Sequence, residues 1–302
     1  MARMLLNLGR NIERKNSFER FWESQFNLTA TYTEKDEGRL GELTGEFDCF
    51  VCGSDQIWNL DCTNGPVGPY FLNFAGERRR VAYAPSLAHE SFRPENFPED
   101  AVREYLEKFD AISVREEGTV DVYQPLCPLK IEVALDPTLL LDPCEWDSVL
   151  PDEPVEREPY VFFYMLERSP ALLESARALA SSTGVRVVYV AERDLKIDGA
   201  VNRYGCGPSE FLDLVKGSQA VLTNSFHATV FSILYGVPFH AFATEKSSAR
   251  MRDLLGKLGL LSFFKESEDG SLPSHEGAPD VAAKLAEMRK SSLAFLAKGI
   301  EG

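Results

Sequence analysis

Short apolar runs alternate with segments of helical periodicity along the chain. The apolar runs predict strands at 47–52, 81–84, 111–114, 131–135, 160–165, 185–190, 220–223 and 238–242. Segments in which apolar residues recur every three or four positions predict helices at 99–109, 171–181, 208–216, 225–235 and 281–295. Strands that alternate with helices in this way are typical of βαβ units, whose strands form parallel sheets.

A stretch rich in proline and acidic residues lies near the chain midpoint, at 143–159, and has little periodicity. Such a stretch is typical of a linker between domains. We therefore expect an α/β protein with two Rossmann-like domains, at 1–150 and 151–302, with the final helix in the second. Ligands of such folds bind beyond the carboxyl ends of the strands, so we expect a site in a cleft that the two parallel sheets face.

The charge of the chain argues against nucleic acid as a partner. Its 302 residues include 32 Lys and Arg and 47 Asp and Glu, which gives a net charge of −15. Such a chain repels a phosphate backbone unless it carries a strongly basic face. The one conspicuous basic run, at 78–80, is expected to be a solvated edge.

The six cysteines are irregularly spaced and too few for a disulfide scaffold, which favours a reducing, cytoplasmic location. No Cys or His set has the spacing of metal ligands, so we expect no metal. The N-terminus lacks the apolar region of a signal peptide. Residues 217–244 carry no charged side chain. Gly, Pro, Asn and His interrupt this segment, so it predicts strand, helix and strand rather than a transmembrane segment.

A loop of small and polar residues follows the first predicted strand. Its candidate ligand-binding residues are Gly53, Ser54, Asp55, Gln56 and Asn59. Backbone N–H, amide and carboxylate groups in such a loop can bind a hydroxyl-rich ligand. The alternative is a local turn held by Asx-type hydrogen bonds.

Arg115 follows the third predicted strand and precedes a helical segment. A guanidinium beside the free N–H groups of a helix N-terminus forms a site for phosphate or carboxylate. A local salt bridge from Arg115 to Glu116 or Glu117 is an equally good interpretation of the sequence.

Two further basic residues follow later strands. Asn224 or Ser225 can cap the helix after 220–223, which places His227 in its first turn, a position suited to a general acid or base. A core histidine is the alternative. Lys246 follows the last strand and can contact an anion or simply be solvated. Together with Arg115, these residues predict a pocket for a small phosphorylated or carboxylated substrate.

Four segments of the chain resemble the polysaccharide pyruvyl transferase family. They are GSDQIWN at 53–59, SVRE at 113–116, LDPTLL at 135–140 and TNSFHATVFS at 223–232. Their order and spacing cover 47–242, and four segments together are more specific than any one. The resemblance implies a two-domain fold like that of the B-type glycosyltransferases. Relatives usually begin with another strand, so a first strand at 47 implies a shortened N-terminal domain.

The family resemblance also implies a reaction, in which pyruvate moves from phosphoenolpyruvate to two hydroxyls of a sugar and forms a cyclic ketal. Arg115 and His227 match the donor-site arginine and histidine of the family, and Lys246 matches a later basic residue. Asn224 and Ser225 would lie beside the donor, and the loop at 53–59 would hold the acceptor.

The implied partners are phosphoenolpyruvate, as donor substrate with no separate cofactor, and a sugar or lipid-linked saccharide of a cell-surface polysaccharide. A membrane-bound acceptor would bring the protein into peripheral contact with a membrane. Two alternatives stay open at this point: a nucleotide-sugar glycosyltransferase of the same architecture, and a non-catalytic scaffold in polysaccharide assembly. The oligomeric state is left open.

Overall fold

The computed structural model of the chain describes residues 8–87, 96–244, 248–265, 271, 274 and 280–302. Its strands are β1 Cys49–Cys52, β2 Arg79–Ala82, β3 Ala111–Val114, β4 Glu132–Val133, β5 Val161–Tyr164, β6 Val187–Tyr189, β7 Val201–Asn202, β8 Ala220–Thr223, β9 Phe239–Phe242 and β10 Phe264–Lys265. Its α-helices are α1 Leu8–Gln25, α2 Leu60–Thr63, α3 Glu99–Leu106, α4 Glu117–Tyr123, α5 Pro143–Asp147, α6 Pro170–Thr183, α7 Pro208–Lys216, α8 Phe226–Tyr235, α9 Ser248–Leu258 and α10 Ala282–Glu301.

The chain folds into two compact units, each built from separate stretches of sequence. The four-stranded unit comprises 30–140, 248–259 and 280–302, and the six-stranded unit comprises 1–29, 141–247 and 260–279. Each unit contains one parallel sheet, which confirms the predicted α/β class.

These limits differ from the predicted division into 1–150 and 151–302. Helix α1 belongs to the six-stranded unit, and α9 and α10 belong to the four-stranded unit. The final helix, α10, is hydrogen-bonded to the chain that follows β4: Leu135 N donates to Ser292 Oγ at 3.0 Å and Arg289 Nε donates to Leu139 O at 2.8 Å. The predicted linker at 143–159 begins with helix α5.

In the four-stranded unit the strands lie in chain order, β1-β2-β3-β4, and all pairs are parallel. A cluster of aromatic rings fills its core. The Trp58 indole is fully buried, stacks on Phe71 with ring centroids 5.1 Å apart, and donates its N–H to Tyr70 O at 3.1 Å. These contacts hold the chain in place at Trp58, close to the end of the loop that follows β1.

The six-stranded sheet has the order β10-β9-β8-β5-β6-β7, again all parallel. Chain order reverses between β8 and β5, so a topological switch point lies between their carboxyl ends, where ligands of open α/β sheets bind. Every residue of β8 and β9 is buried. Helix α8 is buried along almost its whole length, which explains why the segment around it lacks charge and confirms the predicted strand, helix and strand.

Other predictions from the pattern hold less well. The short strands β7 and β10 and the helices α1 and α9 are not among the predicted elements. The basic run at 78–80 is not a solvated edge: Arg80 is buried and donates to Gly76 O and Lys108 O, and Arg78 is paired with Asp48. Within the part of the chain that the structure describes, no helix is both long and apolar enough to cross a membrane.

Candidate functional site

The turn after β1 requires glycine. Gly53 has a φ of +124°, and a Cβ at this position would overlap the Tyr83 carbonyl oxygen. The next residue, Ser54, donates its hydroxyl to Ala84 O at 3.0 Å. The loop is therefore joined closely to the end of the neighbouring strand, β2.

Asp55 follows in the left-handed region, with a φ of 59°. Its main-chain oxygen accepts from Ser86 N at 2.7 Å, whereas 63% of its side chain is exposed. A non-glycine residue held in this region is uncommon and often marks a functional position. The backbone of Asp55 is fixed and its carboxylate faces solvent.

Arg115, at the end of β3, lies beneath this loop. Its Nη2 donates to Ser54 Oγ at 2.7 Å, and lies 3.2 Å from Asp136 Oδ2 and 3.9 Å from Asp55 Oδ1. Only 3% of the Arg115 side chain and 2% of the Asp136 side chain are exposed. The guanidinium thus joins the loops that follow β1 and β4, rather than serving only a local salt bridge.

Asp136 and Glu116 each hold one of the surrounding loops. Asp136 Oδ1 accepts from Thr138 N at 2.9 Å and caps the short 3-10 helix Pro137–Leu139. The buried Glu116 accepts at Oε1 from Ser86 Oγ at 2.8 Å and from Leu87 N at 3.0 Å. Hydrogen bonds to an ionised carboxylate are stronger than neutral ones, so these residues fix the loops after β4 and β2.

Arg250 completes this group and was missed by the sequence analysis. It comes from α9, its Nη1 lies 3.4 Å from Asp55 Oδ1, and 7% of its side chain is exposed. Burial lowers the pKa of Arg250, and the charge of Arg115 lowers it further, whereas the Asp55 carboxylate raises it. A detectable signal existed, because Arg250 lies on the same helix face as the buried Met251 and Leu254, where a charge is unusual.

We define the strand-end cluster as Ser54, Asp55, Arg115, Glu116, Asp136 and Arg250. Its two guanidiniums are matched by two buried carboxylates, those of Glu116 and Asp136, and the third carboxylate, that of Asp55, is exposed. The buried charges therefore compensate one another. What this cluster presents to solvent is a carboxylate in a fixed position.

Gln56 and Asn59 have local roles. Asn59 is fully buried, its Nδ2 donates to Gln56 Oε1 at 2.8 Å, and its Oδ1 accepts from Cys62 N at 3.3 Å to cap α2. This arrangement is the turn-type alternative considered for the loop. Ligand binding by either residue stays a prediction.

Asn224 and Ser225 lie in the six-stranded unit, directly after β8, at the switch point of its sheet. Asn224 is buried; its Oδ1 accepts from Leu166 N at 2.8 Å and its Nδ2 donates to Glu167 O at 2.7 Å. Ser225 Oγ accepts from Ala228 N at 3.3 Å and caps α8. Both side chains shape the loop after β5 and the start of the helix.

His227 lies in the first turn of α8 and is half-buried. Its ring packs edge-on against Phe226, with centroids 5.6 Å apart. Partial exposure at the switch point favours a role at a ligand over that of a fully enclosed core histidine.

The structure brings Ser54, Asp55 and Arg115 together in one unit, and Asn224, Ser225 and His227 together in the other. Lys246 lies outside the described residues. The predicted pocket formed by Arg115, His227 and Lys246 stays a prediction. Among the described residues, no group of His, Cys, Asp and Glu side chains is placed to hold a metal ion.

Comparisons with known proteins give one family and a shared fold. A family model described as polysaccharide pyruvyl transferase matches residues 4–246. No curated protein matches significantly. Among solved structures, a Listeria monocytogenes protein described as a UDP-N-acetylglucosamine 2-epimerase is similar with a TM-score of 0.51 and 12% identity, over 87% of this chain and 77% of that chain. UGT89C1 of Arabidopsis thaliana in complex with UDP-L-rhamnose gives a TM-score of 0.47 and 14% identity, over 88% of this chain and 70% of that chain.

At such low identity these structures bear on the fold alone. The Listeria similarity supports the expected α/β architecture, with Rossmann-like parallel sheets as in the B-type glycosyltransferases.

Proposed function

The chain belongs to the polysaccharide pyruvyl transferase family, and on this premise we propose that it transfers pyruvate from phosphoenolpyruvate to two hydroxyls of a sugar. Family membership identifies it as a transferase that acts on polysaccharide. The donor and the cyclic ketal product are the proposed part. The structural observation that supports the proposal is the strand-end cluster, which directs one fixed carboxylate to solvent.

The proposed reaction needs proton transfer at two places. One sugar hydroxyl adds to C2 of the enol while C3 gains a proton. Phosphate then leaves C2, and the second hydroxyl adds there to close the ring. The two hydroxyl protons end on C3 and on the departing phosphate, so no oxidant or reductant is consumed. A group that accepts a proton and a group that donates one are therefore required.

His227 is the proposed general acid, acting at C3 or at the leaving phosphate. Its place in the first turn of a helix favours an anionic ligand nearby, because the N-terminal N–H groups and the helix dipole attract negative charge. Lys246 is the proposed second contact for the phosphate or carboxylate of the donor.

The structure favours an acceptor-side role for the loop at 53–55. Carboxylates hydrogen-bond sugar hydroxyls well, because an ionised carboxylate offers only acceptors and a hydroxyl can donate. Asp55 has the exposed carboxylate. Arg115 is too buried to be a freely accessible anion contact, so we assign it to positioning the Ser54 and Asp55 loop.

The first experiment is a thermal-shift titration of the native chain with phosphoenolpyruvate, inorganic phosphate and UDP. Ligand at a hundredfold over its Kd stabilises by about 2.7 kcal/mol, enough to raise the Tm by several degrees. We expect a shift with phosphoenolpyruvate that His227→Gln reduces and that Lys196→Gln, an exposed control in the same unit, leaves unchanged.

The second experiment measures turnover. Phosphoenolpyruvate is incubated with methyl glycosides of glucose, galactose and mannose, and phosphate release and sugar mass are followed. Sugar-dependent phosphate release that falls about a hundredfold or more in His227→Gln supports the proposal. A shift with UDP alone contradicts the proposal and favours the glycosyltransferase. No shift with phosphoenolpyruvate in a folded sample also contradicts it and favours the scaffold.

A further inference from the structure

Arg250 lies beyond residues 4–246, which the family model matches, yet it contacts the loop that carries the first family motif. Its Nη1 is 3.4 Å from Asp55 Oδ1. Helix α9, which belongs to the four-stranded unit, supplies this guanidinium and buries Met251, Leu254 and Leu255.

We propose that Arg250 is a positioning residue, which together with Arg115 holds the Asp55 carboxylate so that it binds a hydroxyl of the acceptor sugar. This inference rests on the proposed function, since it assigns the acceptor contact of that same reaction.

The two arginines approach the same oxygen of the Asp55 carboxylate. Both arginines lie against Oδ1, at 3.4 Å for Arg250 and 3.9 Å for Arg115. Most of the Asp55 side chain is exposed. The two guanidiniums thus restrain the carboxylate, and its exposed part can accept from a sugar hydroxyl.

A charge at Arg250 is costly to bury. A buried guanidinium is desolvated, and here it also lies near the like charge of Arg115, both of which lower its pKa. Proteins in which apolar side chains replace a buried ion pair are often as stable as those with the pair, or more stable. A charge kept at an unfavourable position therefore points to a role in placing Asp55.

The opposite charges also restrict where the Asp55 side chain can turn. An exposed aspartate on a left-handed backbone position would otherwise exchange freely among rotamers, which is entropically favoured. A reacting hydroxyl needs its partner within a few tenths of an ångström, and a displacement of about 1 Å can reduce the rate a hundredfold.

The test compares Arg250→Gln and Arg250→Lys with Arg252→Gln, an exposed arginine on the same helix. For the best methyl glycoside of the turnover assay, we expect Arg250→Gln to lower kcat/KM for the sugar by about tenfold to a hundredfold. The KM for phosphoenolpyruvate should stay within about twofold, because the donor groups are elsewhere in the proposal. Arg250→Lys should restore part of the loss, and Arg252→Gln should behave as the native chain.

A purely structural role for Arg250 would give a different pattern. It would lower the Tm and change the parameters of both substrates together, and that result would overturn the proposal. Unchanged sugar kinetics in Arg250→Gln would overturn it as well.

A second readout does not depend on turnover. Crystal structures of the native chain and of Arg250→Gln are compared at Asp55. A carboxylate that is displaced or present in several rotamers in the variant supports positioning, whereas an unchanged carboxylate contradicts it. If the native chain neither binds phosphoenolpyruvate nor releases phosphate, the proposed function fails, and this comparison still decides whether Arg250 positions Asp55.

Discussion

Replacement of Asp136 by Asn removes one charge of the buried pair beneath the strand-end cluster and keeps the shape of the side chain. Arg115 Nη2 lies 3.2 Å from Asp136 Oδ2, with 3% and 2% of the two side chains exposed. Asn can still accept from Thr138 N through Oδ1, and its Nδ2 then takes the place of Oδ2, so the variant removes both the charge and the acceptor that face Arg115.

The expected loss of stability follows from this burial. Breaking a buried ion pair by removing one partner costs about 3–5 kcal/mol, because the remaining charge is left uncompensated. Asp55 Oδ1, 3.9 Å from the same nitrogen, still offsets part of that charge, although the exposed Asp55 side chain interacts partly through solvent. We therefore expect the lower part of this range, about 3 kcal/mol.

The assay is urea unfolding followed by the fluorescence of Trp58, which is fully buried in the four-stranded unit. The other tryptophans, Trp22 and Trp146, belong to the six-stranded unit. Changing both to Phe makes the signal specific to the unit that carries the substitution. The background variant with native Asp136 is the reference.

Two controls decide the interpretation. Asp194→Asn breaks an exposed pair with Lys196 and should cost little stability, because solvent screens such a pair. Adding Arg115→Met to Asp136→Asn should recover much of the loss, since the uncompensated charge is gone. A loss in Asp136→Asn that is no larger than that of the surface control would refute the assignment of a buried, stabilising pair.

Three further predictions concern single positions. Gly53→Ala should destabilise the protein by more than about 1 kcal/mol in thermal melts, whereas Gly118→Ala, in a helix with open space around it, should stabilise it by about 0.5–1 kcal/mol. Burial raises the pKa of Asp213 in the folded protein. Its contribution to stability is therefore lost as the pH rises through the pKa of the unfolded state and then through that of the folded state. Unfolding curves of Asp213→Asn and the native chain should show the variant gaining stability relative to native as the pH rises above about 3.8, the usual pKa of this carboxyl. The exposed Cys62 should react quickly with a disulfide reagent at neutral pH, and Cys206, whose pKa burial raises to about 12, slowly.

The hydrophobic pattern predicted the strands well because the strands of parallel sheets are covered on both faces and consist of nearly continuous apolar residues. Strands 111–114 and 220–223 begin and end where the pattern predicts. The missed strands β7 and β10 are two residues long, too short to give any periodicity.

The sequence did not show which stretches of the chain form each unit. An amphipathic helix shows that one face is buried, but its pattern does not say against which sheet it packs. Helix α10 was predicted as a helix and placed in the second domain, whereas it belongs to the four-stranded unit. The residues that bond to it, Leu135 and Leu139, are more than a hundred positions away in the chain.

The candidate site also has features that the sequence determined and features that only the fold decided. By itself the sequence determined the loop glycine, the strand-end residues Ser54, Asp55 and Arg115, and the capped helix that carries His227, since local geometry and motif order depend on residues close together in the chain. Only the tertiary structure decided that Arg115 pairs with Asp136, that Arg250 reaches Asp55, and that Asn224 turns inward to hold a neighbouring loop. Those are contacts between separate strand ends and helices, and the direction of a polar side chain is set by the partners that the fold brings to it.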